Sequence, residues 1–227
     1  MTLAFAPIII TLPVHSRVIH RSSAFVQPLA TPLVPFAYDG AMSGSYYAVL
    51  DVETTEGDPT NGRVMEVAVL AMNGRDERLR WDSLVHPRCR VPWFTKKLTG
   101  IDDELLRGAP IFSEVVRTLE TLTQDRIVVA HNVRFDMTAL AHEFARTGMP
   151  FERPTLCTER LGRRLVPSLD HYNLGSLCRY FGITFNSAHR ALADAAATAS
   201  LLACYIDAFG EENVQSSVVP VQRALRA

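Results

Sequence analysis

The chain has 227 residues, 48% of them hydrophobic, with a formal net charge of −1 and four cysteines. That length carries one sizeable buried core, and the apolar content excludes a wholly disordered chain. The near-neutral charge excludes a polycationic nucleic-acid sponge but leaves room for local contact with phosphates.

Residues 1–44 stand apart. Pro7, Pro13, Pro28, Pro32 and Pro35 interrupt them, and no acid precedes Asp39. Ile8-Ile9-Ile10 is short, broken by Pro13 and has no basic residue ahead of it, so a secretory signal fits poorly. Three readings stay open: a mis-called start with translation beginning at Met42, a natural disordered extension, or an organellar transit peptide suggested by Arg17, Arg21, Ser22 and Ser23. In each case the expected domain covers residues 45–210, followed by a loosely ordered tail over 211–227.

Tyr46–Leu50 reads as a strand ending at Asp51. Arg63–Met72 reads as a second strand, rich in β-branched residues, and Arg78–His86 as a third, closed by Pro87. Asn73-Gly74 marks the hairpin between the last two. Residues 87–100, with Pro87, Pro92 and Gly100, read as a loop; they hold Lys96 and Lys97, the only lysines of the chain. Asp102–Arg107 is expected as a short helix. Phe112, Val115, Val116, Leu119 and Leu122 have helical spacing, with Ser113 or Pro110 setting the start. Ile127–Ala130 is a buried strand, and Asn132–Thr147 an amphipathic helix with Gly148 just past its end. Leu156–Thr158 is a short edge strand. Helices follow near Glu159–Leu165 and Leu174–Phe181, and a long Ala-rich helix runs from about Arg190 to Phe209. This order predicts an α/β domain: a mixed sheet with helices on both faces.

Cys89, Cys157, Cys178 and Cys204 form no C-x-x-C pair, which disfavours a zinc knuckle. The apolar settings of Cys178 and Cys204 suit buried free thiols in a reducing cytosol. No apolar run in the sequence approaches the roughly 20 residues of a bilayer span. The expectation is a cytoplasmic protein with no membrane partner.

Three short segments carry acids. Asp51 and Glu53 lie two apart at a strand end, so their carboxylates share a face; like charges that close favour a cation between them. Alone, the pair reads equally as a solvated loop. In His131-Asn132-Val133-Arg134-Phe135-Asp136 a buried strand runs into a helix, and an acid in the first turns is favoured by the helix dipole without any site. Asn132 could cap that helix. His189 and Asp194 would stand about 140° apart on one continuous helix. They converge only if His189 sits on the loop before it, with Asn186-Ser187 as the break. The alanines around Asp194 would let this helix approach the strand of Asp51 closely.

In this order and at these separations, D-x-E-T, H-N-x-x-F-D and H-x4-D resemble the DEDDh exonuclease family, which includes the proofreading ε subunit of bacterial DNA polymerase III. Leu98-Thr99-Gly100-Ile101 with Ala109-Pro110, Leu156-Cys157-Thr158 and Tyr172-Asn173-Leu174-Gly175 extend the resemblance over Tyr46–Phe209. One departure stands out: Glu56 precedes Gly57, where the family often has glycine directly after E-T-T.

The resemblance implies a ribonuclease H-like fold and a 3′→5′ exonuclease that releases nucleoside monophosphates with two divalent metal ions, Mg²⁺ or Mn²⁺. It assigns metal binding to Asp51, Glu53, Asp136 and Asp194, with Asp51 bridging, Glu53 and Asp194 on the nucleophile side and Asp136 on the other. Imidazoles serve as general bases near neutral pH, and the resemblance gives that role to His189. Thr54, Leu98, His131, Asn132 and Phe135 match positions near the terminal nucleotide; core packing is an equal reading for Leu98 and a stronger one for Phe135. Lys96, Lys97, Arg163 and Arg164 are candidate phosphate contacts, although Arg163-Arg164 reads more simply as a solvated face. The expected substrate is a single-stranded 3′ end, DNA before RNA, in replication proofreading or repair, with a DNA polymerase or repair complex as partner. An exoribonuclease and a non-catalytic accessory subunit are the alternatives.

Overall fold

The computed structural model describes residues 45–185 and 188–221. The extension 1–44, Asn186-Ser187 and the last six residues lie outside the described residues. Five strands form one sheet in the order β3-β2-β1-β4-β5. They are β1 (Tyr46–Thr54), β2 (Val64–Asn73), β3 (Asp76–Leu84), β4 (Ile127–Ala130) and β5 (Thr155–Cys157). The helices are α1 (Trp93–Thr99), α2 (Phe112–Thr123), α3 (Val133–Arg146), α4 (Thr158–Leu165), α5 (Leu174–Tyr180), α6 (Ala191–Phe209) and α7 (Glu211–Gln215). β1, β2 and β3 run antiparallel as a meander, and β4 and β5 join parallel to β1 through α2 and α3. This is the mixed sheet with helices on both faces that the chain order predicts.

β1 and β2 are central, and the pleat divides their side chains between two cores. Tyr47, Val49, Ala68 and Leu70 face α4, α5 and α6, packing with Leu161, Leu177, Ala195, Leu202 and Tyr205. Ala48, Leu50, Val67 and Val69 face α2 and α3, packing with Val116, Leu119, Leu140 and Phe144. β3 is the edge strand, and its exposed face carries Asp76, Glu77, Arg78 and Arg80, charges that discourage pairing with another chain. By length and composition α6 could cross a bilayer, contrary to the expectation from the sequence. Its apolar residues go instead into the core: Ala191, Ala195, Ala199, Leu201, Leu202 and Tyr205 are buried.

Several boundaries differ from the sequence reading. β1 continues through Thr54 because Asp51–Thr54 keep pairing with β2. Trp93–Thr99, expected as loop, is α1: Pro92 occupies its N-cap, Thr95 and Thr99 are buried, and Gly100 closes it with φ 72°. Pro and Gly here bound a helix from outside, where they resemble loop signals. Asp102–Arg107 is a set of turns holding one α-type bond, Leu106 N–H to Asp102 C=O at 3.1 Å. Neither Ser113 nor Pro110 starts α2; the Glu114 carboxylate accepts the Ile111 N–H at 2.8 Å. The tail is also not loose as far as residue 219. Val214 is buried, Glu211 accepts the Ser45 N–H at 2.8 Å, and Val219 bonds Thr155 in both directions, covering the edge of β5.

Candidate active site

The acids meet at the C-terminal end of β1. Asp51 and Glu53 lie on the face that looks at α6, the same side as Tyr47 and Val49. Asp194, in the first turn of α6, comes down onto them. Asp136, in the first turn of α3, arrives from the other layer, and its Oδ1 accepts the Val52 N–H at 3.2 Å, between the two β1 acids. A β-bulge follows immediately: Glu53 pairs with Glu66, Thr54 with Val64, and Met65 is the extra residue. Bulges commonly end pairing and re-aim side chains beside active sites.

His189 does stand before α6, whose N-cap is Arg190. Its backbone is left-handed, with φ 65°, and its N–H donates to Asp194 Oδ2 at 3.0 Å. That geometry overcomes the 140° separation of a continuous helix. Ligating atoms of Glu53, His189 and Asp194 lie within 4.8 Å of one another. Asn132, at the start of α3, is left-handed too, with φ 66°. Non-glycine residues hold this conformation at a cost, and such strain collects at functional sites.

Burial and mutual repulsion raise the proton affinity of all four acids. Asp51 is held well above the carboxylate range by burial first, then by Asp136, Asp194 and Glu53. Glu53 is pushed up to about 7 by burial and by Asp194 and Glu66, against the opposing charge of Arg190. Burial likewise raises Asp136, against the N–H bonds it accepts, and Asp194, against the His189 N–H. Asp194 Oδ1 is buried and has no hydrogen-bond partner. A clustered set of hard oxygen donors, one of them buried and unsatisfied, fits a hard divalent cation.

Glu66 and Arg190 were missed by the sequence reading. Glu66 is 2% exposed on β2, directly opposite Glu53. Its carboxylate accepts from Arg190 Nη2 at 2.7 Å, from Nε at 3.1 and 3.2 Å, and from the Ala191 N–H at 2.8 Å. The pair therefore fixes the start of α6, and with it the turn that carries His189. The available signal was a lone charge inside the apolar run Val64-Met65-Glu66-Val67, which demands a partner.

The remaining candidates scatter. The Thr54 hydroxyl is buried and donates to the Glu56 C=O at 2.6 Å, so it shapes the turn where Glu56 precedes Gly57. The Asn132 side chain makes no cap hydrogen bond. His131 Nδ1 meets Thr158 Oγ1 at 3.0 Å, and burial lowers the ring's proton affinity. Phe135 is half-buried against the α2–α3 core. Leu98 is 58% exposed, which removes the core-packing reading. Arg163 pairs with Glu159 and lies over Tyr172, and Arg164 donates to the Asn213 C=O, so both are engaged within the fold.

The exonuclease family model matches residues 48–202. The DNA polymerase III ε subunit of Aquifex aeolicus is 33% identical over 165 residues, covering 72% of this chain and 81% of that one. A PolC-type DNA polymerase III of Streptococcus suis is 33% identical over 186 residues, covering 80% of this chain but only 13% of the polymerase. The chain thus spans a small part of its PolC-type relatives. Among solved structures, exonuclease X in complex with 5′-overhanging duplex DNA superposes with a TM-score of 0.62 at 24% identity, over 75% of this chain and 98% of that one. A 3′-exonuclease that recognises the histone mRNA stem-loop superposes at 0.65 and 14% identity, over 81% and 72%. By the span of the family model and the identity to the ε subunit, the chain belongs to the exonuclease family.

Proposed function

We propose that this chain is a metal-dependent 3′→5′ exonuclease that hydrolyses single-stranded DNA from its 3′ end, releasing nucleoside monophosphates in proofreading or repair. The convergence of Asp51, Glu53, Asp136, Asp194 and His189 at one end of β1, with an unpartnered buried Asp194 oxygen, carries the reading. In it Asp51, Glu53, Asp136 and Asp194 would hold two Mg²⁺ or Mn²⁺ ions, which would supply an acidified water and offset negative charge on the phosphate. His189, held before α6 by the bond from its backbone N–H to Asp194, acts as the base that takes the proton from the attacking water. Kinship with the ε subunit favours DNA and a polymerase complex as partner.

The roles of the acids and the base separate experimentally. His189→Ala is expected to bind Mn²⁺ like the wild type in calorimetry while losing about 10²- to 10⁴-fold in turnover. Asp51→Ala is expected to lose both. A His189→Ala enzyme that turns over normally contradicts the base assignment. Matched DNA and RNA oligonucleotides assign the sugar; faster cleavage of RNA would replace the DNA reading with an exoribonuclease.

A further inference from the structure

Asp136 is the acid that α3 brings to the site, and its tie to β1 is a single bond: its Oδ1 accepts the Val52 N–H at 3.2 Å. Asp51, Glu53 and Asp194 surround it and repel it. Like charges this close drive one another apart until a cation comes between them. One bond against that repulsion is a slight hold on the first turn of a helix.

A second hold lies two turns further along. Glu143 follows Asp136 by seven residues, so it stands about 20° from the same face of α3 and about 10.5 Å along it. Its buried carboxylate accepts from Arg63 Nε at 2.7 Å, from Arg63 Nη2 at 3.3 Å and from the Val64 N–H at 3.3 Å. A guanidinium fork on a carboxylate fixes orientation as well as distance. Arg63 stands at the entry to β2. The Thr55 N–H donates to its C=O at 2.9 Å, and its own N–H donates to the Thr55 hydroxyl at 3.0 Å. Thr55 lies two residues past Glu53, and the bulge at Met65 lies two past Arg63. The fork therefore grips α3 from the turn that follows the β1 acids. Arg146 also reaches Glu143, at 3.4 Å, but it belongs to α3 and ties the helix to nothing else.

Resting on the exonuclease reading, we propose that Arg63 and Glu143 form a positioning clamp: they hold α3 where Asp136 stays beside Asp51 against their mutual repulsion, so that a divalent ion meets a formed site. Buried ion pairs add little net stability over an apolar replacement, so the placement of this one, on the Asp136 face of α3 and against the β1–β2 turn, points to geometry. Glu66 and Arg190 do the same for α6. The β2 segment, which supplies no metal ligand in that reading, thus fixes both helices that do.

The test compares the full-length wild type with Arg63→Met, which keeps much of the stem and removes the fork, and with Gly162→Ala, a core change that leaves the acids in place. In chelator, amide hydrogen exchange followed by NMR reads Asp136 through its donor, Val52. In Arg63→Met the Val52 amide is expected to lose about 2- to 12-fold in protection relative to the other β1–β2 ladder amides, the worth of one hydrogen bond. Gly162→Ala is expected to lower all of these amides alike. A Val52 amide that keeps step with its neighbours in Arg63→Met overturns the proposal and leaves the pair a stability contact. Calorimetry adds the metal: Mn²⁺ affinity is expected to fall about 10- to 100-fold in Arg63→Met, as for residues that orient metal ligands, and to stay at the wild-type value in Gly162→Ala. Equal Mn²⁺ affinity in Arg63→Met and the wild type also overturns the clamp. A wild type that binds no Mn²⁺ overturns the exonuclease reading instead, and the exchange result still decides whether the pair holds Asp136. Glu143→Gln, which removes the charge and keeps the shape, gives both readouts if Arg63→Met does not fold.

Discussion

Glu66 sits across the strand from Glu53, and like charges directly opposed on a sheet destabilise it. Arg190 neutralises that carboxylate from α6. Removing Arg190 leaves a buried acid with only the Ala191 N–H to balance it, beside Asp51 and Glu53. Arg190→Ala is therefore expected to destabilise the metal-free protein by about 1–3 kcal/mol, below the value for a fully buried pair because the guanidinium is half exposed. Glu66→Gln keeps an acceptor for the Ala191 N–H but loosens the His189 turn. Its loss of kcat is expected to vanish in a His189→Ala background, a non-additivity that a double-mutant cycle measures. Equal losses in both backgrounds would make Glu66 a general stability residue. The four acids give a pH dependence of defined sign. Their folded proton affinities are raised, Glu53 to about 7 and Asp136 to about 8, so from about pH 4 up to about pH 8 the metal-free folded state holds more protons than the unfolded chain, and stability falls as pH rises through that window. Thermal melts without metal should drop from pH 5 to pH 8, recover on adding Mn²⁺, and metal binding near pH 7 should release protons.

At the scale of elements, the two motif helices were legible because their acids, apolar spacing and following glycines agree. The left-handed backbones of Asn132 and His189 were not, since nothing local marks them; only the need to bring His189 to Asp194 implied a break before the helix. α1 was hidden because Pro92 and Gly100 bracket only seven residues, five of them exposed apolar or threonine, with no repeating stripe. Tertiary contacts, Thr95 to Thr55 above all, hold it. Close approach of α4 to α6 depends on Gly162: a Cβ there would lie 2.6 Å from Tyr205 Oη and 3.2 Å from Leu177. Tyr205 is fully buried and cannot swing aside. Gly162→Ala is expected to destabilise by about 1–3 kcal/mol in chemical denaturation, with the acids left in place.

For the whole molecule, the central strands determine where the chemistry lies. β1 pairs antiparallel with β2 and parallel with β4, so α3 and α6, on opposite faces, both begin near its C-terminal end and deliver one acid each. Open α/β sheets place ligands at the carboxyl ends of strands for this reason. The fold class was readable from the order of strands and helices; the pairing of Glu66 with Arg190 and the bridge from Val219 to Thr155 required the assembled sheet. The measurement that bears most directly on the account follows matched DNA single strands labelled at the 3′ or the 5′ end, with Mn²⁺ and with chelator. Immediate metal-dependent release of the 3′ label as a mononucleotide, with a descending ladder from the 5′-labelled strand, is the predicted result. Release from the 5′ end, internal cuts, or no cleavage by the folded protein would contradict it.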